Sequence, residues 1–325
     1  MIELFYYIII LLLFSLAIDV SFGELPTKIH PVVIMGSVIT FYKNKFIKIK
    51  GKISGMLLVI FSVMTVSLIL YILYLILSFN DLLLFILFIL LLTSSFSVKM
   101  LLKTAIDVKN DLNESIEKAR KSVSYLVSRN TDELTESFIV SAAVESLSEN
   151  ITDSYVAPVF YYMVIAILMM IFPLNIDLFY LILVPVLYRL FNTLDAMVGY
   201  KTEELADIGY CAAKIDDILN YIPSRISGIY VVISAYLLKL DGKNSFKIMK
   251  RDAIKCPSPN SGYTMATTAG ALNIQLIKKD TYILGDPNKK IDKDDITKAV
   301  NLSKLTIILF TITVLLLLTV VYVIL

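Results

Sequence analysis

Three carboxylates recur at intervals of four in AVESLSENITDSYVAP: Glu145, Glu149 and Asp153. On an α-helix that spacing keeps them on one face, within about 40° over two turns. Like charges so placed repel one another unless a cation offsets them. The pattern therefore suggests magnesium held by Glu145, Glu149 and Asp153, with Asn150 beside them as a neutral donor. A solvated acidic face is the bland alternative. The immediate entry into an apolar run favours a site.

Three further clusters could carry chemistry, two of them suited to phosphates. In YRLFNTLDAMVGYK, Arg189, Asn192 and Asp195 follow one another at intervals of three, and Gly199 breaks the helix so that Lys201, after Tyr200, can fold back. Arginine grips phosphate with a planar fork and lysine as a point charge. Snorkelling explains the two cations as cheaply, but not Asn192 and Asp195, which are costly near hydrocarbon unless paired. In KIDDILNYIPSRI, Asp216 and Asp217 stand with Asn220 and Arg225; the adjacent carboxylates diverge by about 100° on a helix, so one of them at most faces a given ligand. The last cluster joins Arg251 and Asp252 to a loop at 256–262 (CPSPNSG) that contains Ser258 and Asn260 and leads into a small-residue run at 267–271. A glycine-containing loop entering a helix can cradle phosphate with backbone N–H groups. No GxxxxGK[ST] occurs, so a nucleotide would not bind through a P-loop. His30 is the single histidine, which excludes a histidine-rich metal site. Cys211 and Cys256 belong to no CxxC pair and read as incidental thiols.

The elements that position these residues are membrane helices. The chain has 325 residues, of which 57% are hydrophobic. Uncharged runs at 56–79, 82–98 and 305–325 are long enough to cross a bilayer. Residues 2–18 read as a retained span rather than a signal peptide, since Glu3 replaces a basic n-region and no cleavage site precedes Asp19. A hairpin of spans at 155–172 and 178–190, turning at Pro173, Leu174 and Asn175, brings the count to six. The expected fold is an all-α polytopic helical bundle forming a single membrane domain, residues 1–325, with cytoplasmic helical segments and loops at 19–55, 99–154 and 191–304. Residues 226–238 are too short for a confident crossing and read as interfacial or re-entrant. Five lysines between 43 and 52 place that loop in the cytoplasm. Both termini then lie outside, and the charged clusters face the cytoplasm.

Residues 99–126 have apolar positions recurring at three and four, Leu102, Ile106, Val108, Leu112, Ile116, Ala119 and Val123 among them. They read as an amphipathic helix on the membrane surface or packed on the bundle. Thr131 is a candidate N-cap ahead of a helix over 135–147. The net charge of +2 and the absence of a basic–aromatic stripe argue against a nucleic-acid partner.

Several ordered blocks together resemble the CbiB/CobD family of membrane proteins of cobalamin biosynthesis, the adenosylcobinamide-phosphate synthases. They are His30-Pro31 with Gly36, Arg129 and Thr131 ahead of AVES-SEN and Asp153, VAP at 156–158, YR--NTLD-MVGYK, DD--N--P-R at 216–225, RD at 251–252, SPN-G, and AGAL at 269–272. Where the family reads GDP before the His-Pro pair, this chain has Gly23, Glu24 and Leu25; where it reads GRDT, the chain has Ser128, Arg129, Asn130 and Thr131. The second change removes a carboxylate. The resemblance implies an enzyme of the cytoplasmic membrane that uses ATP and magnesium. It would join the carboxyl of adenosylcobyric acid to the amine of (R)-1-amino-2-propanol O-phosphate or a related aminoalcohol. The lipid bilayer, the corrinoid and the aminoalcohol phosphate are the implied partners, and a complex with other enzymes of the pathway is left open. With the clusters above, it assigns catalysis to Glu145, Glu149, Asp153, Asn192 and Asp195. Substrate or phosphate binding falls to His30, Asn150, Arg189, Tyr200, Lys201, Asp216, Asp217, Arg251, Asp252, Ser258 and Asn260.

Two other classes fit the residues less well. A magnesium-dependent phospho- or prenyltransferase would carry DDxxD or DGxxAR patterns, which are absent. A transporter would place charges near mid-membrane, whereas here they gather at the ends of spans.

Overall fold

Helix starts are written locally in the chain. His30 caps α2 (Pro31–Phe46) by accepting from the Val32 amide at 3.2 Å, with Pro31 in the first turn, where its missing N–H costs nothing. Asn80 caps α4 (Asp81–Thr93) by accepting from Leu83 N at 3.1 Å. The computed structural model that shows these contacts describes residues 2–127, 129–172, 177–200 and 202–325.

Six helical stretches among the described residues are long and apolar enough to cross a membrane: Ile2–Phe22, Ile53–Leu77, Asp81–Glu114, Glu136–Ile171, Phe179–Val198 and Asp294–Ile324. The fold is a polytopic helical membrane protein, as the apolar runs predict. Where the sequence reads as a single membrane domain, however, contacts gather in two compact units that alternate along the chain.

The first unit comprises Met1–Ser97, Ala157–Leu219 and Val314–Leu325. It contains α1 (Ile2–Phe22), α2, α3 (Ile53–Leu77), α4, α8 (Ala157–Ile171), α9 (Phe179–Val198) and α10 (Tyr210–Leu219). Buried hydroxyls tie its apolar helices together: Thr93 Oγ1 donates to Ser15 O at 3.3 Å, and Tyr162 Oη to Ile8 O at 2.7 Å. Such bonds hold where lipid offers no competing water. The outer face of α3 leaves Met64, Leu68 and Leu75 exposed, an apolar surface that hydrocarbon would cover.

The second unit comprises Val98–Val156 and Asn220–Thr313. Its helices are α5 (Val98–Glu114), α6 (Ile116–Ser124), α7 (Glu136–Ile151), α11 (Tyr221–Leu237), α12 (Gly242–Asp252) and α13 (Gly262–Leu272), with most of α14 (Asp294–Ile324). A two-stranded antiparallel hairpin, β1 (Leu276–Lys278) and β2 (Tyr282–Leu284), pairs Ile277 with Ile283. The core buries Val108, Ala119 and Val123 with Ile139, Val140 and Ala143 of α7, and Leu102, Ile106, Leu112 and Ile116 pack against it. The amphipathic stripe thus faces protein. Small residues bring α13 close to α12: a Cβ on Gly270 would meet Asn244 O at 2.7 Å and Ser245 Cα at 2.8 Å.

Several boundaries differ from the sequence reading. The apolar run at 82–98 does not continue as one α-helix, because α4 stops at Thr93, where Ser94 and Ser95 hydroxyls donate back to Leu91 O at 2.7 and 3.0 Å. The stripe at 99–126 is two helices, since Ser115 accepts from Lys118 N and starts α6. Thr135, not Thr131, is the N-cap of α7, which extends to Ile151. The first helix continues to Phe22, and α9 continues through its polar half to Val198. Of residues 226–238, all but the C-cap Leu238 lie in the 17-residue α11, which is not among the six span-length stretches. The turn at Pro173, Leu174 and Asn175 lies outside the described residues.

Candidate functional site

In the second unit the helix that carries the acidic motif is not regular throughout. Residues Thr152–Val156 form a π-turn after α7, so Asp153 leaves the α-helical register that relates Glu145 to Glu149. Single π-turns inside helices are frequent at functional sites. Glu145 is 4% exposed. Its carboxylate accepts from Ser141 Oγ at 2.6 Å, Tyr282 Oη at 2.9 Å and Arg129 Nη2 at 3.3 Å. Ser141 Oγ in turn accepts from the Ile277 amide at 3.0 Å, so the same carboxylate seats the hairpin against α7. Burial raises the Tyr282 phenol above its ordinary range, and the charges of Glu145 and Glu149 add to this. The Cys256 thiol is pushed up to about 12, first by burial and further by Glu149 and Glu145, against an opposing hydrogen bond from Ser261. It is therefore neutral and a poor nucleophile.

Magnesium held by all three carboxylates does not fit this arrangement. Glu145 is committed to three donors, Asp153 lies in the π-turn, and no group of three His, Cys, Asp or Glu side chains among the described residues could hold a metal ion. Asn150 donates to Ser146 O at 2.8 Å.

Arg251 and Asp252 do come together, but with each other. Asp252 is fully buried and accepts from Arg251 Nε and Nη2, Lys255 Nζ and the Gly285 amide, while Arg251 Nη1 bridges to Asp286 at 2.9 Å. The fork expected to meet phosphate thus meets two carboxylates. The loop at 256–262 lies beside this network. Asn260 N donates to Ser258 Oγ at 3.3 Å, and Asn260 Oδ1 accepts from Ser224 Oγ and Arg225 Nη1, each at 3.4 Å. Gly262 is required where the loop enters α13, because a Cβ there would lie 1.9 Å from Ala253 O.

In the first unit, Arg189 Nη1 reaches Asn192 Oδ1 at 3.3 Å on α9. His30 lies within electrostatic reach of Arg189 and Glu24. Burial holds its imidazole below the ordinary value; Glu24 opposes this and Arg189 reinforces it. Glu24 Oε1 accepts from Ser97 Oγ at 2.8 Å, so the carboxylate at the departed GDP position has a fixed place. Asp195 and Asp217 are close enough to interact electrostatically, and Asp216 occupies the adjacent position on α10. Tyr200 is exposed. Lys201 lies outside the described residues.

The residues singled out in the sequence therefore divide between the two units. Arg129, Ser141 and Tyr282 are the participants that sequence assignment missed, while Arg225, singled out with Asp216, Asp217 and Asn220, was given no role. Arg129 and Arg225 stood inside recognisable motifs. Ser141 and Tyr282 had no signal of their own, since only folding of the hairpin brings them to Glu145.

A helical protein with six membrane-length stretches and buried charge clusters is an integral membrane protein whose polar chemistry is built into its helices. Residues 12–303 match the family model described as CobD/Cbib protein. The chain belongs to that family, which serves cobalamin biosynthesis. It is 45% identical to a "Probable cobalamin biosynthesis protein CobD" of Methanothermobacter thermautotrophicus, over 92% of this chain and 94% of the relative. Proteins of the same name from Methanocaldococcus jannaschii and Methanothrix thermoacetophila are 37% and 33% identical, over 93% and 90% of this chain and 96% and 90% of theirs. No solved structure matches.

Proposed function

We propose that this protein is the amide-forming enzyme of its pathway, joining the free carboxyl of adenosylcobyric acid to the amine of (R)-1-amino-2-propanol O-phosphate, or a related aminoalcohol, at the expense of ATP. Family membership over residues 12–303 carries this reading. A carboxylate is a poor electrophile. Transfer of the terminal phosphoryl group of ATP to the corrinoid carboxylate would give an acyl phosphate and ADP. Attack by the amine would then form the C–N bond and expel inorganic phosphate, with the amine proton leaving to a base.

Charged and polar groups of the required kinds support the reading. The loop with Ser258 and Asn260 opens at the buried start of α13, where backbone amides can meet phosphate oxygens. Magnesium that accompanies ATP normally keeps several waters and takes one or two protein carboxylates beside the phosphates. No step here is assigned to it. The water-facing clusters are proposed to open to the cytoplasm, where ATP is found, in the cytoplasmic membrane.

The test is direct. The full chain in nanodiscs is incubated with adenosylcobyric acid, ATP and aminopropanol phosphate, and product is read by mass spectrometry. Adenosylcobinamide phosphate should form with one ADP per amide and stop when any substrate is omitted. Failure to form amide under conditions where all three bind would sink the proposal.

A further inference from the structure

We propose that Arg225, rather than Arg251, is the arginine that grips a substrate phosphate in the second unit. This rests on the reading above that the substrates carry phosphates, and it assigns them a residue.

The charge of Arg225 is not cancelled. Its hydrogen bonds go to neutral acceptors through one nitrogen: Nη1 donates to Tyr221 O at 2.6 Å, and to Ser224 Oγ and Asn260 Oδ1 at 3.4 Å each. Among the described residues no carboxylate pairs with it, whereas Arg251 is held by both Asp252 and Asp286. The Nε and Nη2 groups of Arg225 have no partner among the described residues. Two adjacent donors on one edge of a guanidinium are the fork that matches two phosphate oxygens.

The side chain is also held in place. Its Cζ lies 3.4 Å from the Tyr221 ring centroid and 4.3 Å from that of Tyr263. The two rings hold the guanidinium in place, so less side-chain entropy remains to be lost on binding. Tyr263 and Asn260 belong to the loop and first turn of α13, while Ser224 and Tyr221 belong to α11. Arg225 thereby joins two motifs that stand about 35 residues apart in the chain. The bland account is a stacked surface arginine that only stabilises the contact between α11 and α13.

Equilibrium binding separates the two accounts. ATP and aminopropanol phosphate are titrated separately onto the full chain in nanodiscs, as wild type, Arg225→Lys, Tyr263→Phe and Tyr263→Leu, with thermal midpoints recorded for each. Arg225→Lys keeps the charge and removes the fork, and should weaken one of the two ligands by about 10- to 100-fold. The affected ligand identifies whether the nucleotide or the aminoalcohol supplies the phosphate. Tyr263→Phe keeps the stack and should bind as wild type, while Tyr263→Leu should weaken the same ligand as Arg225→Lys. If Arg225→Lys does not fold, Tyr263→Leu decides. Unchanged affinity for both ligands in the folded variants overturns the assignment and leaves the proposed reaction standing. If the wild type binds neither ligand, both fall.

Discussion

Asp252 accepts the Nε and Nη2 groups of Arg251, both at 2.7 Å, while being fully buried. Burial by itself would raise the Asp252 carboxyl. The hydrogen bonds from Arg251, Lys255 and the Gly285 amide outweigh it and bring the group down to about 2. The RD motif therefore closes a network that fastens the segment after β2 to the end of α12.

Asp252→Asn should destabilise the fold by on the order of 2 to 3 kcal/mol, less than a fully buried pair because Arg251 is partly in solvent. The native carboxylate contributes stability that is complete above its ordinary value of 3.8 and is lost as pH falls from there through about 2. Unfolding scans should show a lower midpoint for the variant and a flatter acid limb below about pH 4. A variant whose acid limb superimposes on wild type would contradict the network.

Glu145→Gln keeps the shape of the side chain and removes the charge facing Arg129 and Tyr282. A loss of about 2 to 4 kcal/mol is expected, because Arg129 is left partly buried without a carboxylate. In a double-mutant cycle with Tyr282→Phe, thermal unfolding should give strong coupling. Additive effects would mean that the carboxylate does not seat the hairpin.

Gly270→Ala places a methyl group against the backbone of α12, which cannot rotate away as a side chain would. A cost of about 1 to 3 kcal/mol is expected from overpacking. An unchanged thermal midpoint would show that α12 and α13 are less tightly apposed.

Topology is open to labelling in a cysteine-free background. A cysteine at the exposed Asn80 should react with an impermeant maleimide from outside intact cells, and cysteines at Lys48 and Lys279 only after permeabilisation. External labelling at Lys279 would reverse the orientation of the hairpin segment and make α11 a crossing.

Much of this architecture is legible in the chain because membranes impose a rule that depends on composition alone. A run of apolar residues that cannot satisfy its backbone in lipid except as a helix must span as one. That reasoning locates all six stretches, and the periodicity of 99–126 identifies the face that Val108, Ala119 and Val123 bury. Helix ends are less legible where hydroxyls compete for carbonyls, as at Ser94 and Ser95, or where a cap divides a continuous stripe, as at Ser115.

The side-chain types at 145, 189, 251 and 260 and their helical spacing are fixed by the sequence, and so is the family to which the motifs belong. What each group faces was decided by tertiary structure. Asp153 leaves the acidic face because a π-turn changes the register. Arg251 is neutralised because folding returns Asp286 to it from 35 residues away. Arg225 keeps its charge because the residues folded around it are tyrosines, a serine and an asparagine. Spacing along a helix predicts which side chains share a face, but the partner that cancels or preserves a charge comes from a distant segment, and no local pattern encodes it.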